Sequence, residues 1–108
     1  MSYNVEVTHR FQKEAKRLSK KYPSIKTDLL KLIEDLEENP IQGSSLGKSS
    51  YKIRLKISSK GRGKSGGARV ITHVHVSLEN VYLLTIYDKS EQESISDEEL
   101  DQMLELLA

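Results

Sequence analysis

The chain of 108 residues contains no cysteine. Disulfides, thiolate metal sites and cysteine nucleophiles are therefore excluded. It also lacks a long apolar run, so no segment reads as a membrane span or a secretory leader. A soluble cytoplasmic protein is the expectation. The length suits one domain over residues 1–108, with a core large enough to need no disulfide or metal staple.

Charge is missing selectively. From Lys48 to Arg69 there are eight basic residues and no acidic one, whereas residues 70–108 hold only Lys89 against nine acidic residues. Residues 10–26 carry seven basic side chains and one acidic, Glu14. The net charge of +1 thus conceals a basic first two-thirds and an acidic end.

The densest basic stretch is Tyr51-Lys52-Ile53-Arg54-Leu55-Lys56-Ile57. At a period of two it is a strand with Tyr51, Ile53, Leu55 and Ile57 on one face and Lys52, Arg54 and Lys56 on the other. Like charges crowded on one face repel, and a polyanion laid across them relieves the repulsion. Phosphate is the natural candidate, which points to a domain that grips a nucleic-acid backbone on a sheet.

The remaining elements follow from local signals. Residues 2–7 alternate and predict a short strand. Thr8 caps a helix with Phe11, Ala15, Leu18 and Tyr22 at helical spacing, and Pro23 ends it. Ser24 opens a second helix with Ile25, Leu29, Leu32, Ile33 and Leu36, ended by Asn39-Pro40. Residues 41–50 read as a Gly/Ser loop. A second long strand is expected over 68–77, with Val70, Thr72, Val74 and Val76 on one face and Arg69, Ile71, His73 and His75 on the other. After a turn at Glu79-Asn80, Val81–Tyr87 is apolar on both faces and so belongs inside the sheet. Ser96-Asp97-Glu98-Glu99 forms a capping box for a last helix bearing Leu100, Met103, Leu104 and Leu107. That apolar stripe can pack on its own domain or dock a partner.

The predicted fold is α+β, in the order β-α-α-β-β-β-α. It is a four-stranded antiparallel sheet with a helical hairpin on one face and a short C-terminal helix. The other face, bearing Lys52, Arg54 and Lys56, is expected to be open.

Residues 58–67 are glycine-rich and basic. Gly63-Lys64-Ser65 is similar to the end of a phosphate-binding P-loop, but the first glycine of that pattern falls on Ser58, and a strand follows where a helix is required. What survives is that Lys60, Arg62 and Lys64, with Lys56, can contact phosphates on a flexible loop. His73 and His75 share a face without a third ligand, so a metal is not expected. As imidazoles they are candidate acid/base groups. Tyr51 shares the apolar face of its strand and reads as core, while Tyr87 could stack on a base.

Three segments together carry a resemblance. Tyr-Lys-Ile-Arg-Leu, Gly-Lys-Ser-Gly-Gly-Ala-Arg-Val-Ile and Leu-Leu-Thr-Ile-Tyr-Asp-Lys-Ser-Glu resemble the RelE/ParE superfamily of bacterial toxins, most closely its HigB/RelE-type branch. Phe-Gln-Lys-Glu-Ala-Lys-Arg-Leu-Ser-Lys-Lys-Tyr-Pro-Ser is also in character. The resemblance implies a metal-independent, cofactor-free endoribonuclease toxin that cuts mRNA in the ribosome. It also implies a cognate antitoxin, with the toxin a monomer within that complex. By the same resemblance Lys52, Arg54, Arg69 and Lys89 fall on catalytic positions, with Arg69 on the scissile phosphate. Family members carry a tyrosine a few residues after the last strand. Here Ile95 holds that place, which leaves His73 or His75 as the acid. ParE-like relatives share the fold and instead inhibit DNA gyrase by protein contact. That rival and a non-catalytic RNA-binding protein remain open at this point.

Overall fold

The computed structural model describes residues 2–60 and 66–107. Strand β1 (Asn4–Val7) leads to helices α1 (His9–Lys21) and α2 (Ile25–Glu38). Strands β2 (Ser44–Gly47), β3 (Ser50–Leu55), β4 (Ala68–His75) and β5 (Asn80–Asp88) follow, then helix α3 (Asp97–Glu105). A short 3-10 turn, Ser58–Lys60, lies between β3 and β4.

The helix boundaries have local causes. The Thr8 hydroxyl accepts the Phe11 N–H at 3.3 Å and donates to the Leu83 carbonyl at 2.8 Å, so it caps α1 and ties it to β5. Pro23 keeps Tyr22 extended, which stops the helix there. The Ser96 hydroxyl accepts the Glu99 N–H at 3.1 Å and starts α3.

The sheet order is β1-β5-β4-β3-β2. The β3-β4-β5 meander is antiparallel, and the connection from β4 to β5 is of hairpin length. Two features differ from the expectation. The sheet has five strands, because Ser44–Gly47 folds back on β3 as an edge strand instead of remaining a loop. It is also mixed, because β1 runs parallel to β5, with Asn4 beside Asn80 and Val7 beside Leu83. The helical hairpin and three further strands intervene between β1 and β5, and alternation within a six-residue window does not reveal so distant a partner. β2 escapes a hydrophobic reading because it is an exposed edge without an apolar face. Gly43 makes that return possible. Its φ is +87°, and a Cβ there would stand 2.2 Å from the Lys52 carbonyl oxygen.

The hairpin of α1 and α2 covers one sheet face. Phe11, Leu18, Ile25, Leu29, Leu32 and Leu36 pack on Ile53, Leu55, Val70, Val74, Val81, Leu83 and Ile86, with Tyr51 at the margin. The second face is not open throughout. α3 lies on its β5 side, where Leu100 and Met103 close over Ile71, Leu84 and Tyr87. Coverage on both sides explains why β5 is apolar on both faces. Its alternation is broken once, by a bulge that leaves Leu84 without a partner on β4 between the Ile71–Thr85 and Thr72–Leu83 pairs. β4 ends at His75, earlier than its pattern suggested, and Val76 and Leu78 are exposed in the following turn.

Two ion pairs hold α3 in place. Arg10 of α1 reaches Glu99 at 2.6 Å, and Lys48 of the β2–β3 turn pairs with Asp101. Among the described residues no helix is long and apolar enough to cross a membrane.

Candidate active site

The uncovered part of the second face belongs to β3 and the near side of β4. Register places Arg54 directly opposite Arg69, and Arg69 directly opposite Tyr87. These three residues therefore form one row across three strands, on the face turned away from the hairpin. Lys52 is one same-face step from Arg54 and stands opposite Ile71. Lys56 follows just beyond the strand. The part of β3 beyond its pairing with β2 borders a cleft of about 550 Å³ against α2, lined by residues that include Lys52, Arg54, Lys56, Lys31, Asp28 and Asp35.

Exposure divides the row. Arg54 and Lys56 are exposed and Lys52 is half-buried, whereas Arg69 is only 3% exposed and Tyr87 5%. One Arg69 Nη1–H bonds the Ala68 carbonyl at 3.0 Å. Burial, and then the neighbouring Arg54 charge, hold the Arg69 guanidinium below the usual arginine range, and Tyr87 opposes the shift. An anion bound between the two arginines would lie against both charges, and guanidinium forks suit phosphate geometry.

The Tyr87 hydroxyl is buried and makes no hydrogen bond of acceptable geometry among the described residues. Burial pushes the Tyr87 hydroxyl above the usual tyrosine range, opposed by the Ser94 side chain and by Arg69. Tyr87 lies beneath α3 and its lead-in, so base stacking on its ring is not available in this arrangement. Sequence reasoning treated it only as a possible stacking group, and its place beside Arg69 emerges from the β4–β5 register.

Lys89 is exposed just past β5, and its N–H bonds the Gly67 carbonyl at 3.1 Å. It therefore sits at the same end of the sheet as Arg54 and Arg69. Lys60 is at that end too, but its ammonium is engaged. It lies 3.0 Å from the Asp88 carboxylate, with the lysine side chain 15% exposed and the aspartate fully buried. Asp88 also accepts from the Tyr22 hydroxyl at 2.7 Å and from the Ser90 N–H and hydroxyl at 2.9 and 2.8 Å. These donors outweigh burial and hold the Asp88 carboxyl well below the usual range. No sequence signal singled out Asp88, because a lone aspartate at a strand end normally reads as turn chemistry. Arg62 and Lys64 lie outside the described residues.

The histidines are not brought to this end. His73 is four residues along β4 from Arg69, about 13 Å at strand spacing, and His75 is farther still. His73 stands opposite Ser50, whose hydroxyl is 3.3 Å from its Nδ1, and its ring stacks on Tyr82 at 6.3 Å. Burial lowers its ionisation below the ordinary histidine value, opposed by the Lys48 and Ser49 backbone. At this distance the His73 ring does not reach a group held by Arg69. The His75 Nδ1 accepts the Leu78 N–H at 3.4 Å, in the turn after β4. Among the described residues no three metal-ligating side chains converge.

Comparison with known proteins gives a consistent result. The family described as the RelE toxin of the RelE/RelB toxin–antitoxin system matches residues 6–108. The fold is similar to the free Escherichia coli RelE toxin bearing two arginine-to-alanine substitutions, with a TM-score of 0.66, 20% identity and full coverage of both chains. It is also similar to a chain of the intact E. coli RelBE toxin–antitoxin complex (TM-score 0.63, 21% identity, 81% of this chain and 96% of that one). A chain of the Mycobacterium tuberculosis RelBE2 toxin–antitoxin complex gives a TM-score of 0.60 at 16% identity, over 82% of this chain and 99% of that one.

Proposed function

Because the chain belongs to the RelE toxin family of the RelE/RelB toxin–antitoxin systems, we propose that it is an endoribonuclease that cuts mRNA, in association with the ribosome, on the Arg54–Arg69 face. The observation that carries this reading is the cross-strand arginine pair, beside Lys52 and at the sheet end that also holds Lys89. A sheet gains no stability from two arginines set opposite each other, and a bound phosphodiester gives the arrangement a purpose.

RNA carries its own nucleophile. Cleavage requires a proton to leave the 2′-OH, charge on the phosphorane oxygens to be stabilised, and the 5′-oxygen to be protonated. Arg54 is exposed and contacts the phosphate directly. Arg69 stands behind it and contributes a fixed positive charge in a dry environment, where such charge acts most strongly. Lys52 is the base or oxyanion contact, one same-face step from Arg54. Lys89 stabilises the leaving oxygen. Holding the strand in line for attack supplies much of the rate. Lys56 extends the backbone contact along β3.

The partner in this reading is a cognate antitoxin. Two of the similar structures are toxin–antitoxin complexes. An apolar groove of about 690 Å³ between α1 and α3, floored by Leu84, Met103, Leu106 and Leu107, suits an amphipathic helix. Primer extension on mRNA from a translating system containing the purified protein is the direct test. New 5′ ends that vanish with Arg54→Ala support the nuclease. Growth arrest without new ends, together with inhibited DNA supercoiling, supports the gyrase-inhibitor alternative.

A further inference from the structure

The end of β5 holds a buried charge with no direct part in the arginine row. Asp88 closes β5 opposite Ala68, and its side chain is fully buried. Four donors converge on that carboxylate from three separate segments. They are the Tyr22 hydroxyl at the end of α1 (2.7 Å), the Lys60 ammonium of the 3-10 turn (3.0 Å), and the Ser90 N–H and hydroxyl (2.9 and 2.8 Å). The Asp88 main-chain carbonyl also accepts from the Glu91 and Gln92 N–H groups, at 3.0 and 3.1 Å. The turn from Asp88 to Gln92 is thus organised by one residue.

Lys89 lies inside that turn, and its backbone is held on both sides. Its own N–H bonds the Gly67 carbonyl at 3.1 Å, and the next N–H, that of Ser90, bonds the Asp88 carboxylate. Gly67 in turn lies close against β3. A Cβ on it would stand 2.2 Å from the carbonyl oxygen of Leu55, the residue after Arg54. The Asp88 side chain turns toward the helical hairpin, where it meets Tyr22. Alternation at the strand end then sends the following side chain, Lys89, toward the face of Arg54 and Arg69.

A buried ion pair is a poor source of net stability, because desolvating the two charges offsets much of their attraction. A serine or asparagine side chain closes a turn of this kind without burying a charge. What the carboxylate adds is short, charge-assisted bonds that fix the turn's geometry. Lys60 cancels its charge, so that it does not repel a phosphodiester on the neighbouring arginines.

We propose that Asp88 is a positioning residue, which clamps the turn carrying Lys89 and so sets the Lys89 ammonium at the leaving oxygen of the scissile phosphodiester. As the phosphorus–oxygen bond breaks, its electron pair passes to the 5′-oxygen, and the ammonium stabilises that charge. The inference rests on the ribonuclease reading and adds to it a group that never touches RNA.

The experiment follows cleavage of mRNA on ribosomes at the linkage mapped by primer extension. Two substrates are compared, the natural one and one whose leaving 5′-oxygen at that linkage is replaced by sulfur. A thiolate is far less basic than an alkoxide, so the sulfur substrate bypasses what Lys89 supplies. The variants are Asp88→Asn, Ser90→Ala, Lys89→Ala and Asp88→Asn combined with Lys89→Ala, with folding checked by circular dichroism. Asp88→Asn should cut the oxygen substrate at least about tenfold more slowly at saturation. The double variant should be no slower than Lys89→Ala alone. The sulfur substrate should bring both single variants to within about threefold of wild type. Ser90→Ala removes one exposed hydroxyl and keeps the buried pair, so it tests the clamp even where Asp88→Asn does not fold. It should be slower by about threefold to tenfold on oxygen and unchanged on sulfur.

A folded Asp88→Asn or Ser90→Ala protein that cuts the oxygen substrate at the wild-type rate overturns the proposal. So does a loss that sulfur fails to restore although it restores Lys89→Ala, or one that adds in full to that of Lys89→Ala. Either result assigns Asp88 to folding alone. In each of these cases wild type still cuts, and the ribonuclease reading stands. A wild type that cuts neither substrate overturns that reading, and this proposal with it.

Discussion

Arg54 and Arg69 stand directly opposite each other on β3 and β4, yet Arg54 is exposed and Arg69 is 97% shielded from solvent. The pair presents one guanidinium to the outside and keeps another as a charged floor behind it. This asymmetry gives the two residues different roles and separable signatures.

Substitution of either arginine is expected to lower cleavage about a hundredfold, the usual effect of removing one preorganised contact to a developing oxyanion. Arg54→Ala should leave stability within about 0.5 kcal/mol, because the side chain is exposed. It should also weaken substrate binding, whereas Arg69→Ala should act mainly on the chemical step. Single-turnover kinetics on a defined RNA separates the two. A folded Arg69→Ala protein with undiminished cleavage removes Arg69 from the site.

Tyr87→Phe deletes a hydroxyl that is buried without a good hydrogen bond. Such a group costs on the order of 1 kcal/mol or more, so stability in urea should hold or rise. A loss above about 1 kcal/mol would show that Ser94 or Arg69 uses this hydroxyl in the folded protein.

Asp88 should impose an acid limit on folding. Its carboxyl is held below the unfolded value, so its contribution is complete above an ordinary aspartate pKa of about 4 and is lost as pH falls further. Asp88→Asn is expected to destabilise by about 3 kcal/mol at pH 7, since it leaves Lys60 half-buried without its counter-charge. Its stability should then vary less below pH 4 than that of wild type. Urea midpoints between pH 3 and pH 7 make the comparison. An equally steep acid limb in the variant places the responsible carboxylate elsewhere.

Lys60→Gln should likewise behave as a stability variant. The ammonium is committed to Asp88 and to the Tyr22 ring, so its removal should barely change the salt dependence of RNA binding. A salt slope that drops by nearly one would mean that RNA competes successfully with Asp88 for this lysine.

Gly43→Ala should loosen the outer edge of the sheet. The added methyl would meet the Lys52 carbonyl at 2.2 Å on a backbone that side chains rarely adopt. A cost of at least 1 kcal/mol is expected, together with lower activity because Lys52 is displaced. Wild-type activity in a destabilised Gly43→Ala protein would argue against Lys52 as a participant.

Most of the fold was legible because the period of apolar residues reports burial directly. Phe11 and Leu18, the Ile25–Leu36 stripe, and the alternation through Ile53, Leu55, Val70 and Val74 all lie in the core beneath the helical hairpin. Ser44–Gly47 was illegible because backbone pairing, not side-chain burial, makes it a strand. The parallel partner of β1 was illegible because pairing direction leaves no mark on a short strand. At the site, the cationic residues were visible as charges without acids to balance them. The Tyr87–Arg69 adjacency depends on register, and the Lys60–Asp88 pair joins residues 28 positions apart. Periodicity carries neither kind of information. The histidines look like a pair in sequence, but the length of β4 carries them away from the arginines.

The parallel pairing of β1 with β5 also bears on how the chain is born. Asn80, the neighbour of Asn4 on β5, is synthesised 76 residues after it. β1 therefore emerges long before the strand that receives it, and the closing of so long a loop is entropically slow. Arg69 likewise has no Tyr87 opposite it until β5 has been translated. A nascent chain halted before residue 80 holds the basic strand β3 without the assembled row. Synthesis thus supplies its own delay, and the arginine floor closes only once β5 has been made.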